Sequence, residues 1–303
     1  MKRNPQTIYD EVTQGIIAAL EAGTVPWVCP WNRKEATKYG AGEGVPYNAS
    51  TSRPYNGINV LLLWLFGPPG PGGYMTYRQA EKLGAQVRGG SKGYRVVYAD
   101  SHTKVTKTES GEDTRESYYF LKRHTVFHVS QIDGLPEKYS NPPPLEYTKL
   151  DDDAFNLWVD NTGANIKPGG ASACYMPTVD TIGMPPLQTF KSAEAYKAVL
   201  LHELGHWTGH KKRLDRGFGL AGSHDYAREE LVAEMCAAFC CARLGVTAEV
   251  RHPDYIAHWI KVLREDNKAV FRAAAAAQKA TDYLFSLQRL EPLPRSRALV
   301  VCA

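Results

Sequence analysis

The chain has 303 residues, 43% of them hydrophobic, and its 36 Lys and Arg slightly outnumber its 32 Asp and Glu. This length predicts two domains, and the apolar share is ordinary for a folded soluble protein. The longest apolar run, residues 58–66, is too short to cross a bilayer, and the amino terminus lacks the apolar core of a secretory signal. Six cysteines without a Cys-x-x-Cys pair argue against a disulfide framework. We therefore expect a cytoplasmic protein with reduced thiols and no membrane partner.

The first predicted element is an amphipathic helix. Ile8, Val12, Ile16 and Leu20 recur at successive i+4 positions, and Gly23 follows as a stop. This pattern predicts a structural helix that packs one apolar face.

The next segment, residues 24–99, is basic and rich in aromatic residues. It carries nine Lys or Arg against three Asp or Glu, an excess of six positive charges. Several aromatic residues fall in Gly/Pro/Asn-rich stretches without core periodicity: Trp27, Trp31, Tyr39, Tyr47, Tyr55 and Tyr74. Cations neutralise phosphates and ring faces stack on unpaired bases, so the combination favours single-stranded DNA as a partner. The alternative is that these loops pack their rings onto a small core. The predicted DNA-binding residues are Trp27, Trp31, Arg33, Lys34, Lys38, Tyr47, Arg53, Tyr55, Arg78, Arg88, Lys92 and Arg95.

Two strands are predicted after the basic segment, at residues 93–98 and 117–128. The polar stretch between them, residues 101–116, is predicted to be a long hairpin loop. His124 and His128 lie four apart, a spacing of about 13 Å along a strand, so we do not expect them to share a metal ion. The first half is thus predicted to be α+β.

A proline-rich stretch divides the chain. We place a linker at residues 141–149, between a first domain of residues 1–140 and a second of residues 150–303. The second domain begins with a predicted helix at residues 152–162. Two short strands follow within residues 173–183, and the strand nearer the next helix could serve as an edge on which an extended peptide adds a strand.

The next helix carries the most informative pattern of the chain, His-Glu-Leu-Gly-His at residues 202–206. Ser192 is a suitable N-cap for this helix. On a helix, His202 and His206 share one face, and their imidazoles can converge on one ion about 2 Å away. Glu203 lies beside them and is the candidate general base. The arrangement is typical of a zinc-activated water in a metallopeptidase.

A third ligand must come from another element. His210 is excluded, because three turns of straight helix would start the outer histidines about 12 Å apart. Residues 225–244 form a predicted helix on which Glu230 and Glu234 are spaced i, i+4. One acid can bind the ion, and one a turn later can hold the ring N–H of a ligating histidine. Glu229 faces about 100° away and is the alternative ligand.

The acidic residues resemble the Glu-x-x-Ala-Asp pattern of zincins with a glutamate ligand. Glu230 matches the ligand, and Glu234 stands where those proteins have Asp. This resemblance implies that His202, His206 and Glu230 hold zinc, with another divalent ion such as Mn²⁺ as an alternative. Glu234 would hold a ligating imidazole from outside.

Several motifs together resemble the ArdC-type antirestriction proteins of conjugative plasmids, a family related to the N-terminal part of certain plasmid primases. They are Pro46-Tyr-Asn48, Arg53-Pro-Tyr-Asn-Gly-Ile-Asn59, Met75-Thr-Tyr-Arg-Gln-Ala80, Lys92-Gly93, His202-Glu-Leu-Gly-His-Trp-Thr-Gly209 and Glu229-Glu-Leu-Val-Ala-Glu234. The resemblance implies a small α+β domain that binds single-stranded DNA, followed by a mostly helical zincin-like metallopeptidase domain with a short edge sheet.

The function implied by the resemblance is protection of incoming plasmid DNA from host restriction. In the expected mechanism the metal activates a water, and Glu203 takes its proton and passes it to the leaving amine. Host restriction enzyme subunits or another protein would be the substrate. Two alternatives stay open: a single-strand-coating protein with a structural or inactive metal site, and a protease that single-stranded DNA directs to DNA-bound proteins.

Overall fold

The computed structural model of the protein describes residues 5–27, 44–68, 72–107, 113–140, 151–219, 223–246 and 253–288. Within these ranges the chain is α+β, which confirms the predicted fold class. No helix in the described ranges combines the length and apolar content needed to cross a bilayer.

The N-terminal half alternates short helices and strands. Its elements are α1 (Pro5–Glu21), β1 (Tyr47–Asn48), β2 (Arg53–Pro54), α2 (Ile58–Phe66), β3 (Gly73–Met75), α3 (Tyr77–Lys82), β4 (Gln86–Val87), β5 (Tyr94–Lys107), β6 (Asp113–His128), β7 (Ile132–Asp133) and α4 (Glu137–Ser140). Five strands form one sheet in the order β2-β1-β3-β6-β5, in which β1 and β3 run parallel and the other neighbours antiparallel. Strands β4 and β7 form a separate antiparallel pair.

The β5–β6 hairpin is longer than predicted. Its strands pair continuously from Tyr94 opposite Val126 to Lys107 opposite Asp113. The predicted loop at residues 101–116 is therefore wrong over most of its length. An antiparallel ladder is held by backbone hydrogen bonds, which need no apolar alternation, so a polar stretch can continue as strand.

The C-terminal half is mostly helical. Its elements are α5 (Asp152–Asp160), β8 (Asn165–Pro168), β9 (Cys174–Met176), β10 (Thr181–Met184), α6 (Ala193–Thr208), α7 (His224–Leu244), α8 (Pro253–Glu265) and α9 (Ala269–Ser286). The three strands form a sheet in the order β8-β10-β9, with β9 antiparallel to β10 at its edge. Cys236, Cys240 and Cys241 are buried on α7 and carry free thiols.

One continuous hydrophobic core joins the two halves. Trp27 contacts Trp259 of α8 edge-on with ring centroids 5.1 Å apart, and Trp64 of α2 lies 5.9 Å from Phe239 of α7. The predicted linker at residues 141–149 lies outside the described residues, so the domain boundary stays a prediction. The N-terminal half therefore packs directly against helices of the C-terminal half, including α7, which carries Glu230.

Candidate metal centre

Helix α6 presents the two histidines. Its N-cap is Ser192, whose side chain accepts a hydrogen bond from the backbone N–H of Ala195 at 3.0 Å. The helix places His202 and His206 one turn apart, both buried, with their Nε2 atoms 3.1 Å apart. Two imidazole nitrogens at this separation can bind the same ion.

Helix α7 supplies the carboxylate. The Glu230 oxygens lie 3.5 Å from Nε2 of His202 and 3.3 Å from Nε2 of His206. The three candidate ligand atoms all lie within 4.8 Å of one another. The structure thus brings together His202, His206 and Glu230, the ligand set predicted from the sequence.

Close packing of α6 on α7 makes this geometry possible. A Cβ atom on Gly205 would lie 3.1 Å from Cα of Ala233 and 3.3 Å from its carbonyl oxygen. Position 205 therefore has almost no space for a side chain. The glycine lets the backbone of α6 approach that of α7, which brings Glu230 within reach of both imidazoles.

The outer nitrogens of both imidazoles face carboxylates. Glu234 Oε1 lies 3.5 Å from Nδ1 of His202, and Glu229 Oε1 lies 3.4 Å from Nδ1 of His206. Metal-ligating histidines in proteins usually have such a partner, which fixes the ring and its tautomer. Glu234 thus lies beside the outer nitrogen of His202. The structure places Glu229 behind His206, outside the group of converging ligand atoms.

Arg216 is a site residue that the sequence analysis missed. Its guanidinium holds Glu229 at two points, with Nε 3.0 Å from Oε2 and Nη2 2.8 Å from Oε1. It also donates to the Gly205 carbonyl at 2.7 Å and to Thr208 Oγ1 at 2.9 Å. Arg216 lies in an irregular loop, where no periodic pattern indicates the direction of a side chain.

The electrostatics of the buried cluster favour a cation. Burial lowers the pKa of His206, but hydrogen bonds with Glu229 and Glu230 outweigh this effect and raise it to about 10. Burial raises the pKa of Glu230, but hydrogen bonds with His202 and His206 hold it well below its usual range. The Glu230 carboxylate is thus ionised and stabilises positive charge beside it. A divalent ion fits this donor set.

A cleft of about 320 Å³ borders the three candidate ligands, and Glu203 contributes to its lining. The lining also includes Tyr175 of β9 and Phe218, whose ring centroids lie 5.8 Å apart. Glu203 is buried beside the ligand group without belonging to it. His210 also lies outside the ligand group and accepts a hydrogen bond from the backbone N–H of Lys212.

The structure corrects part of the predicted DNA-binding set. Trp27, Tyr47 and Tyr55 are buried, with exposed fractions of 1%, 8% and 5%. A stacked base needs an open ring face, which these three buried rings do not offer. They pack in the core instead, which is the alternative interpretation of the loop aromatics given above. Four further members of the set lie outside the described residues: Trp31, Arg33, Lys34 and Lys38.

The described cations of the set differ in their surroundings. Arg53, Arg78 and Lys92 are exposed. Arg88 contacts Asp133 at 3.3 Å and the carbonyl of Ser130, and Arg95 forms an ion pair with Glu11. Arg88 and Arg95 remain half exposed, so their ion pairs compete with any phosphate contact.

The fold and the site define a two-part protein with a zincin-like metallopeptidase domain. A family model with the description zincin-like metallopeptidase matches residues 153–276. A model for the N-terminal domain of the anti-restriction factor ArdC matches residues 6–127.

Two crystal structures and one further protein sequence are similar to this chain over nearly its whole length. The metal-free crystal structure of the antirestriction protein ArdC from plasmid R388 is 40% identical, with a TM-score of 0.76 over 93% of this chain and 99% of that one. Its Mn(II)-bound structure is 38% identical, with a TM-score of 0.70 over 92% and 97%. The uncharacterised protein y4eC of Sinorhizobium fredii (strain NBRC 101917 / NGR234) is 37% identical over 94% of this chain and 95% of its own. The chain belongs to the ArdC family of antirestriction proteins, which confirms the resemblance.

A further relative is a much longer protein that contains a region similar to this chain. A DNA primase TraC of Escherichia coli is 36% identical over 93% of this chain, which corresponds to 27% of the primase. This chain therefore matches about a quarter of that longer protein.

Proposed function

We propose that this chain is a single-stranded DNA-binding antirestriction protein with a metal-dependent peptidase site, and that it protects incoming plasmid DNA from host restriction. One observation carries the peptidase part: Glu203 lies beside the converging His202, His206 and Glu230, and all four line one cleft. Membership of the ArdC family supports the antirestriction part.

The donor set fits a catalytic zinc ion. Two histidines and one glutamate are the protein ligands in one class of zinc peptidases, in which a further coordination position stays open. When bound, a divalent ion would polarise a peptide carbonyl and lower the pKa of an attacking water. The Mn(II)-bound relative supports Mn²⁺ as an alternative.

The protein's own groups would then move the proton and position the peptide. Glu203 accepts a proton from the attacking water and passes it to the leaving amine. An extended peptide adds to the edge strand β9, whose Tyr175 lines the same cleft. Glu229, Glu234 and Arg216 keep the imidazoles oriented.

The DNA-binding part is proposed for the N-terminal half. Exposed Arg53, Arg78 and Lys92 are available for phosphate contacts. The similarity to DNA primase TraC supports a role on DNA. The proposed protein substrate is a host restriction enzyme subunit, which bound single-stranded DNA would bring to the cleft.

The deciding experiment incubates the protein with purified restriction subunits, with and without single-stranded DNA. We expect cleavage by the wild type and none by Glu203→Gln, while both proteins hold the same amount of metal. Equal cleavage by the variant would remove Glu203 from its role. Full antirestriction by a cleavage-deficient, metal-loaded variant would favour the single-strand-coating alternative, and cleavage of any protein crosslinked to DNA would favour the DNA-directed protease.

A further inference from the structure

Two aromatic rings lie side by side on the surface of the β5–β6 hairpin. Tyr98 is 44% exposed, and His124 is also exposed. Their ring centroids are 5.5 Å apart, and their planes meet at 76°. Val96 pairs with His124 and Tyr98 pairs with Lys122, so these side chains project from one face of the hairpin.

The pair lies where the hairpin leaves the core. Val96 and Val126 on the same face are fully buried, whereas Tyr98 and His124 are not. Tyr98 also neighbours the buried Tyr55, and burial raises its pKa. Tyr98 thus contacts Tyr55 and His124 and still exposes 44% of its surface, so the residue is both held in place and accessible for stacking.

We propose that Tyr98 is a stacking site for an unpaired base of single-stranded DNA, with His124 packing at the edge of the same base. This inference rests on the proposed function and replaces the buried Trp27, Tyr47 and Tyr55 as stacking residues. Two roughly perpendicular rings can contact one flat base both at its face and at its edge. A duplex does not offer such a base, because its bases stack on one another.

Charge supports a nucleic acid as the occupant. In the sequence, residues 24–99 have an excess of six positive charges, and on the hairpin Lys122, which pairs with Tyr98, forms an ion pair with Asp100. Arg53 lies two residues before Tyr55 in the chain and is exposed. Electrostatic attraction would draw the strand to this half of the protein. Stacking on Tyr98 would then add affinity for any base, whatever its identity.

The test measures the Kd of the full chain for a fluorescently labelled oligo-dT strand by anisotropy. Tyr98→Ala should raise Kd about 10-fold, His124→Ala should raise it less, and Tyr98→Phe, which keeps the ring, should bind within about twofold of the wild type. Phe66→Ala is the matched control, because Phe66 is 42% exposed in the same half of the chain. It should also bind within about twofold of the wild type.

Two further measurements separate stacking from charge and from misfolding. Tyr98→Ala should leave the dependence of Kd on salt unchanged. Arg53→Ala should reduce the slope of log Kd against log salt concentration by the amount that corresponds to about one phosphate contact. On a strand made of abasic nucleotides, wild type and Tyr98→Ala should bind equally, because no base is present to stack.

The outcomes distinguish this inference from the proposed function. Binding of oligo-dT by the wild type tests the proposed function, and its absence would overturn both. Wild-type binding together with an unaltered Kd for Tyr98→Ala and His124→Ala would overturn the stacking site alone. The stacking site would also be overturned if Tyr98→Ala lost as much affinity for the abasic strand as for oligo-dT. The same holds if Phe66→Ala lost as much affinity for oligo-dT as Tyr98→Ala.

Discussion

Arg216 and Glu229 form a two-point ion pair, with Nε 3.0 Å from Oε2 and Nη2 2.8 Å from Oε1. Because Glu229 Oε1 also lies 3.4 Å from Nδ1 of His206, this guanidinium fixes one imidazole of the candidate metal centre. The same group binds the Gly205 carbonyl, near the end of α6. The loop after α6 therefore takes part in holding the candidate ligands.

We expect Arg216→Ala to weaken the binding of a divalent ion about 10-fold, the lower end of the effect of losing an outer partner of a metal ligand, because Arg216 acts on His206 through Glu229. Arg216→Lys should also weaken binding, because a lysine cannot make the two-point contact. Isothermal titration of the metal-free protein with Zn²⁺ or Mn²⁺ measures the affinity. Arg228→Ala is the control, because Arg228 is exposed on α7 and pairs with Asp225. A folded Arg216→Ala protein with wild-type affinity would contradict the prediction.

Gly205 offers a second test of the site's architecture. Because a Cβ at this position already lies 3.1 Å from Cα of Ala233, the branched side chain of Gly205→Val has no space. We expect a loss of about 1–3 kcal/mol in the free energy of unfolding, measured with denaturant, together with weaker metal binding. In Gly217→Ala the added methyl meets no atom within 4 Å, so that variant should match the wild type. Equal stability of the two variants would show that α6 and α7 are not held at this distance.

The convergence of the candidate ligands could be predicted from the sequence, whereas the contacts of Arg216 could not. His202, His206 and Glu203 lie in one helical pattern, and helix geometry fixes their relative positions. Glu230 follows from its spacing on a second helix and from the resemblance to zincins. The position of Arg216 depends on the path of a loop after α6, for which the sequence has no periodic signal.

The aromatic residues show the same limit. The sequence shows that Trp27 lies in an irregular segment, but its partner Trp259 lies on a helix near the other end of the chain. Burial by a distant element leaves no local pattern. Tyr98, in contrast, lies in a predicted strand and was not among the predicted DNA-binding residues. Which ring of the N-terminal half faces solvent could be learned only from the packing.

The buried His128 should lower the free energy of unfolding of the protein in mild acid. Burial lowers the pKa of His128 to about 4, and the backbone N–H of Ser130 donates to its Nδ1 at 3.2 Å, a bond that requires Nδ1 without a proton. An unfolded histidine titrates near 6.5, so between these values the unfolded chain binds a proton that the folded chain lacks. The stabilising contribution is complete above pH 6.5 and is lost as the pH falls through about 4, a change of about 3 kcal/mol.

The measurement compares denaturant unfolding of the wild type and His128→Gln at several pH values. The variant is less stable at neutral pH, because it loses the packing of the imidazole, but the difference should shrink as the pH falls toward about 4.5. The shrinkage, and not the neutral-pH difference, reports the titration of His128. A difference that stays constant from neutral to acid pH would show that His128 does not titrate on unfolding.

Uptake of a metal ion by the candidate site should release protons. With its pKa raised to about 10 by Glu229 and Glu230 against the effect of burial, His206 is protonated in the metal-free protein at neutral pH. Its stabilising contribution to that form is complete below the unfolded value near 6.5 and is lost as the pH rises through about 10. An ion needs the lone pair of Nε2, so binding must release this proton, and the affinity for the ion should rise from about pH 6 to pH 9.

Titrations with the ion in buffers of different ionisation enthalpy should show about one proton or more released per ion at neutral pH. His210→Ala should release the same number, because His210 lies outside the ligand group. A binding heat that is independent of the buffer would contradict a protonated His206.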